Sequence, residues 1–223
     1  MMTGFDALIS GYKRFRHAEY QRTRDRWVSL SEGQSPQVMV IACSDSRVDP
    51  SQIFDTSPGE MFVVRNVAAL VPPFETAGGF HGVSAALEFA VTQLQVSQIV
   101  VLGHGGCGGC AAALTGKFSG AADGEGGFIA RWISMLDDAR TRVCVDYGGD
   151  VDERAFAAME HEAVKISLAN LRTFPWVRDR EADGSLRLQG AWFAIKEGNL
   201  EVLDQSTGFF AEAPVRPGPA GFR

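Results

Sequence analysis

Hydrophobic positions along this chain follow two alternating rhythms. Short apolar runs rich in β-branched residues, Val38-Met39-Val40-Ile41-Ala42 and Ile99-Val100-Val101-Leu102, have the length of buried strands, and residues 60–65 form a third. Elsewhere the spacing becomes helical. Val83, Ala86, Leu87, Ala90, Val91 and Leu94 recur at three- and four-residue intervals and predict a helix over residues 79–95. Residues 107–114, 128–143 and 153–174 predict three more, with Gly116 closing the first of these. Asp49-Pro50-Ser51 reads as the cap and first turn of a short helix ending near residue 55, because proline is tolerated at the first helical position. Residues 185–196 and 200–205 bracket Glu197-Gly198-Asn199 and predict a hairpin. Strands alternating with helices predict an α/β fold: a parallel-core sheet with an antiparallel edge strand, flanked by helices.

Ahead of the first strand, Phe5, Leu8, Ile9, Tyr12, Phe15, Tyr20, Trp27 and Leu30 stand at mostly helical spacing among many arginines. Residues 1–33 therefore predict an N-terminal helical arm of one or two amphipathic helices. Residues 207–223 are crowded with proline and glycine, and little order is expected there. No repeat or linker interrupts the chain, so residues 1–223 read as a single domain.

The two strongest apolar runs both stop at reactive side chains. The first leads into Cys43-Ser44-Asp45-Ser46-Arg47, the second into Gly103-His104-Gly105-Gly106-Cys107-Gly108-Gly109. If the runs are neighbouring strands, Cys43, His104 and Cys107 emerge together at one sheet edge. Zinc takes cysteine sulfur and histidine nitrogen in tetrahedral sites, and three protein ligands leave a fourth position for a carboxylate or a water. Asp45, two residues beyond Cys43, could fill it.

Two rival readings share these residues. Gly103 to Gly108 also matches the dinucleotide fingerprint G-x-G-x-x-G, but Asp123, at the distance of the usual ribose-binding acid, falls in a Gly-rich loop rather than at a strand end. Cys107-Gly108-Gly109-Cys110 could be a redox pair at a helix N-terminus, yet that leaves Cys43 and His104 unexplained. Cys110 and Cys144 are most simply small buried hydrophobes, and His17 and His161 are structural histidines among charged helical neighbours.

Composition narrows the picture. The formal net charge is -6, which argues against a sequence-independent grip on nucleic acid, since that requires clustered excess Lys and Arg. No apolar run is long enough to cross a membrane, and the N-terminus lacks a basic segment followed by an apolar one, so a cytoplasmic location is expected. With four cysteines in a chain of this kind, metal binding or burial outranks disulfide formation.

The Cys-Ser-Asp-Ser-Arg run, the later His-x-x-Cys-Gly-Gly and the intervening Phe62-Val63-Val64-Arg65-Asn66-Val67-Ala68 resemble the β-class carbonic anhydrases in order and approximate spacing. The resemblance is specific over residues 34–114 and weaker on to 205. It implies a zinc lyase that interconverts carbon dioxide and bicarbonate, with Cys43, His104 and Cys107 as metal ligands. Asp45 would be either the fourth ligand or the acceptor that orients the reacting water, with Arg47 deciding between the two. Phe62, Val67 and Gly108 match family pocket positions, and Phe89 stands where many relatives carry tyrosine. Gln34 corresponds to a glutamine that binds substrate from a partner subunit. A homodimer, or a larger homo-oligomer built from dimers, is implied, with the arm reaching across. Val40 stands where bicarbonate-regulated relatives carry tryptophan, so that regulation is not expected. The alternatives are a carbon disulfide-type hydrolase on the same fold and a non-catalytic zinc or nucleotide-binding module.

Two cysteine thiolates cancel the formal charge of zinc. A water bound to such a metal should ionise later than at a three-histidine site, where its pKa is about 7. Arg47 can hold the Asp45 carboxylate in a bidentate pair and so keep it off the metal.

Overall fold

The computed structural model describes residues 4–77 and 79–214. Strand β1 (Val38–Cys43) lies between β2 (Met61–Asn66) and β3 (Gln98–His104), parallel to both. On the far side of β3, β4 (Arg187–Ala194) is parallel to it, β5 (Asn199–Asp204) is antiparallel to β4, and β6 (Phe209–Glu212) is antiparallel to β5. The sheet order is β2-β1-β3-β4-β5-β6. The expected parallel core is present, and two antiparallel strands extend it. Residues 209–212 lie in the stretch expected to lack order, yet as β6 they pair with β5 through Leu203↔Phe210 and Asp204↔Phe209. Positions 215–223 of that stretch lie outside the described residues.

The helices of this unit are α4 (Pro50–Ile53), α5 (Gly82–Glu88), α6 (Gly108–Thr115), α7 (Gly127–Ile133), α8 (Asp137–Asp146), α9 (Glu153–Leu171) and α10 (Pro175–Ala182). Asp49 caps α4 by accepting from the Ser51 and Gln52 amides, and Gly116 ends α6 in the left-handed region at φ 65°. Two helical expectations for this unit change, and one of its helices was not expected. The run 79–95 is α5 followed by a π-helical turn over Phe89–Gln93. A single helix over 128–143 is instead α7 and α8, separated by a 3₁₀ turn over Ser134–Leu136. Helix α10, half charged and burying only Val177, carried no apolar period to announce it.

Both sheet faces are covered, which is why β1 and β3 are near-continuous apolar runs. Met39, Ile41, Ile99 and Val101 pack against α5 residue Leu87 and α9 residues Val164 and Leu168. Val40, Ala42, Leu102 and Ala191 form a smaller cluster with Phe193 and Leu200 packed against it.

The chain divides into two compact units, Met1–Ser35 and Pro36–Arg223. The first holds α1 (Phe5–His17), α2 (Glu19–Arg22) and α3 (Arg24–Ser31), three short helices where one or two were expected. Their breaks fall at Ala18 and Thr23, whose φ of -113° lies outside the helical range. None of the three buries a residue, and the rings of Phe15, Tyr20 and Trp27 cluster within it.

Candidate metal centre

β1 and β3 are adjacent, yet the chain leaves them in opposite directions across the sheet, β1 towards β2 and β3 towards β4. Such a switch point opens a crevice beyond the carboxyl ends of the strands. Cys43 and His104 are the last residues of these two strands. Cys107 follows a glycine turn in which Gly106 takes φ 67° and brings the chain back, so that the N-cap residue of α6 also faces the crevice. The donor atoms of Cys43, His104 and Cys107 lie within 4.8 Å of one another, and all three residues are buried.

Each donor suits a metal. The two sulfurs are 4.0 Å apart, close to the separation of about 3.8 Å that tetrahedral zinc imposes at its usual bond length to sulfur. His104 Nδ1 stands 3.0 Å from the carbonyl oxygen of Gly105. A carbonyl only accepts, so Nδ1 carries the proton and Nε2 presents its lone pair. That Nε2 is buried with no hydrogen-bond partner. Hydrogen bonds from the Cys110 and Cys43 thiols push Cys107 down towards the thiolate, and the bond to Cys107 and burial push Cys43 up. Burial alone would depress His104, but the neighbouring Cys107 thiolate outweighs it and the net direction is upward. The cluster is an electron-rich pocket suited to a soft dication.

The turn that carries Cys43 and Asp45 is clamped from β2. Arg65 donates to the carbonyl oxygens of Cys43 (2.9 Å), Asp45 (2.6 Å) and Val48 (3.1 Å). The Asp45 and Ala68 backbone amides act against the upward push on Cys43 and favour its thiolate. Ala68 (φ 63°) and Ala69 (φ 54°) occupy the left-handed region, which is unfavourable for residues bearing a Cβ. Ser167 on α9 pins that segment, accepting from the Val71 amide and donating to the Ala69 carbonyl oxygen, each at 3.2 Å.

Asp45 stands outside the three-residue cluster. Arg47 binds it through the backbone amide and Nε to Oδ1, both 2.9 Å, and through Nη2 to Oδ2 at 2.7 Å. Nη2 also donates to the Gly106 carbonyl oxygen at 2.9 Å, tying the β1 turn to the β3 loop. The Arg47 hydrogen bond holds the Asp45 carboxyl down at about 2. Both carboxylate oxygens of Asp45 are thus engaged by Arg47, and neither belongs to the three-residue donor cluster.

A cavity of about 630 Å³ lies beside the ligand loop, lined by Arg47, Gly106, Cys107, Phe156, Glu160 and Trp192 among others. Phe62, Val67, Phe89 and Gly108 are not among its lining residues. Phe62 and Phe89 meet at a ring separation of 5.8 Å, and Val67 and Phe89 are 39% and 45% exposed. Gly108 opens α6 beside Cys107, with free space where a Cβ would project. Gln34 belongs to the first unit and is exposed. Sequence reasoning missed Arg65, Ser167, Trp192 and Glu160. For Glu160 a signal existed: a carboxylate on the apolar stripe formed by Phe156, Ala163 and Val164. Asp123, the acid that a dinucleotide site would use, is in a turn and pairs with Arg131 at 2.7 Å.

A mainly parallel α/β sheet that carries a buried Cys-His-Cys cluster at its switch point defines a zinc metalloenzyme. Residues 38–200 match the family model for carbonic anhydrase. Beta carbonic anhydrase 3 of Arabidopsis thaliana is 35% identical over 199 residues, which cover 89% of this chain and 76% of that protein. The β-carbonic anhydrase CcaA has a structure matching at a TM-score of 0.85 and 32% identity, over 95% of this chain and 92% of that one. A tetrameric β-carbonic anhydrase of the ascomycete Sordaria macrospora matches at 0.78 and 28%, over 90% and 96%. The chain belongs to the β-carbonic anhydrase family, and its reaction is the zinc-dependent, reversible hydration of carbon dioxide to bicarbonate and a proton.

Proposed function

We propose that Cys43, His104 and Cys107 hold the zinc, and that Asp45 and Arg47 govern the position left open beside it. The observation that carries this reading is His104 Nε2, buried and without a hydrogen-bond partner, clustered with two thiol sulfurs. Zinc bound there would acidify a coordinated water and so supply a nucleophile for carbon dioxide, at a pH above that of a three-histidine site.

Asp45, kept ionised by Arg47, has only acceptor capacity, and it orients the reacting water by accepting its proton in a hydrogen bond. Arg47 holds that carboxylate away from the metal, and its anchor on the Gly106 carbonyl oxygen keeps the pair in register with the ligand loop. Phe62, Val67 and Phe89 give carbon dioxide apolar walls, Gly108 leaves it room, and Gln34 of a partner subunit hydrogen-bonds it. The protein works as a homo-oligomer built from dimers, a reading supported by the tetrameric relative from Sordaria macrospora. Its four cysteines, all free, suit a reducing compartment such as the cytoplasm.

X-ray absorption at the zinc edge tests the ligand set. Two sulfurs, one imidazole and one further light atom are expected. A third sulfur, or a site of nitrogen and oxygen alone, would overturn it.

A further inference from the structure

The loop that supplies two of the three metal donors is built almost wholly from glycine. Gly103, Gly105, Gly106 and Gly108 surround His104 and Cys107, and a glycine backbone loses the most conformational freedom when it is ordered. Something outside the loop must hold it. The only buried carboxylate among the described residues, Glu160 on α9, is 3% exposed and has both oxygens engaged. Oε1 accepts from the Cys107 amide at 2.8 Å, and Oε2 accepts from Trp192 Nε1 at 3.0 Å.

Trp192 lies on β4 opposite Gly103 in the register. Its indole fills the space that a side chain at Gly105 would need, since a Cβ there would come within 3.1 Å of the indole Cζ2. At Gly103 the space is taken by Val164, whose Cγ2 a Cβ would meet at 2.7 Å, with the indole Cδ1 next at 3.4 Å. One carboxylate thus fixes the backbone of Cys107 and, through the indole packed on Gly105, the backbone that follows His104.

We propose that Glu160, together with Trp192, is the positioning residue of the metal centre: it sets where the His104 and Cys107 donors stand relative to Cys43, without touching metal or substrate. Groups that orient metal ligands in this way commonly contribute about 10- to 100-fold in metal affinity. The proposal rests on the assignment of Cys43, His104 and Cys107 as zinc ligands.

Glutamine at position 160 separates this role from simple burial. Its amide offers one acceptor oxygen and a donor NH₂, so it can serve the Cys107 amide or the indole N–H but not both. In Glu160→Gln, zinc affinity measured by competition with a chromophoric chelator should fall about 10- to 100-fold. The thiolate-to-metal charge-transfer band of the cobalt-substituted protein should shift. Trp192→Phe removes the second donor and should weaken zinc only a few-fold with a smaller band shift. The double variant should return to the level of Trp192→Phe, because glutamine then has a single donor to satisfy. Wild-type affinity and spectrum in Glu160→Gln would overturn the proposal, as would a double variant no better than Glu160→Gln. If Glu160→Gln does not fold, Trp192→Phe alone decides: an unchanged cobalt spectrum and zinc affinity overturn it. Failure of the ligand assignment looks different, since zinc would then survive Cys43→Ser, His104→Ala or Cys107→Ser whatever the outcome at Glu160.

Discussion

The sulfurs of Cys43 and Cys107, sixty-four residues apart in the chain, stand 4.0 Å from each other. Parallel pairing of Ala42 with Leu102 brings the two strand ends level, and the glycine turn after His104 supplies the remaining reach. Three protein donors meet there, and the cluster has no spare.

Loss of any one donor should therefore abolish metal binding and catalysis together. Cys43→Ser, His104→Ala and Cys107→Ser are each expected to purify without zinc and without carbon dioxide hydration. Cys110→Ser should keep both, because that thiol is buried beside Cys107 but outside the donor cluster. Zinc analysis of the four proteins decides it: zinc retained in Cys107→Ser and lost in Cys110→Ser would assign the wrong cysteine.

The pH profile tests the division of labour between Asp45 and Arg47. The Asp45 carboxyl titrates at about 2, below its ordinary 3.8. The stabilisation this represents is complete above 3.8 and lost only as pH falls towards 2, so Asp45 stays ionised across the working range. With two thiolates on the metal, the reacting water should set the profile instead, and activity should climb from neutral to alkaline pH. Arg47→Ala should free Asp45 to compete for the metal and depress the neutral end of the profile most. A flat wild-type profile, or an Arg47→Ala protein unchanged in both rate and cobalt spectrum, would contradict this.

His161 should make the fold acid-sensitive. Its ring stacks on Phe210 at 4.1 Å and meets Trp192 edge-on at 5.1 Å, and burial lowers its pKa to about 4. Glu201 lies 3.6 Å from Nε2, too far for a hydrogen bond. The folded state therefore binds fewer protons than the unfolded state between about 6.5 and 4, and stability should fall as pH drops through that window, by up to about 3 kcal/mol. His161→Phe should flatten the dependence of Tm on pH there; an unchanged slope would exclude His161 as its source.

Close packing of α6 on the Val67–Ala69 turn predicts a cost for one methyl group. A Cβ on Gly109 would come within 2.8 Å of Val67 Cγ1 and 3.0 Å of the Ala68 Cβ. Gly109→Ala should destabilise the protein by about 1–3 kcal/mol. It should also reduce activity, since the backbone amide of the displaced Ala68 favours the Cys43 thiolate. Urea unfolding and hydration rates measured on the same preparation would reveal either effect missing.

Bicarbonate should inhibit without cooperativity. Val40 is buried against Ala42, Leu102 and Ala191, with no tryptophan where regulated relatives have one. Sigmoidal inhibition of the hydration rate by bicarbonate would show another anion site at work.

The sequence alone determined five of the six strands, most helices and which cysteines and histidine meet at the sheet edge. Those features are local: β-branched runs fit a sheet buried on both faces, the helical period marks a buried stripe, and cysteine or histidine at a strand end needs no partner to be noticed. Tertiary structure decided everything that depends on pairing across distance. It placed Asp45 on Arg47, ended the β1 turn under Arg65, and added β6 from a stretch whose proline and glycine content suggested none. It also split the helix over 79–95 at Phe89 into an α-helix and a π-helical turn. Above all it set Glu160 beneath the Cys107 amide, fifty-three residues away in the chain. A buried carboxylate is stable only where donors converge on it, and which donors converge is fixed by how β3, β4 and α9 pack, not by the residues adjacent to it in sequence.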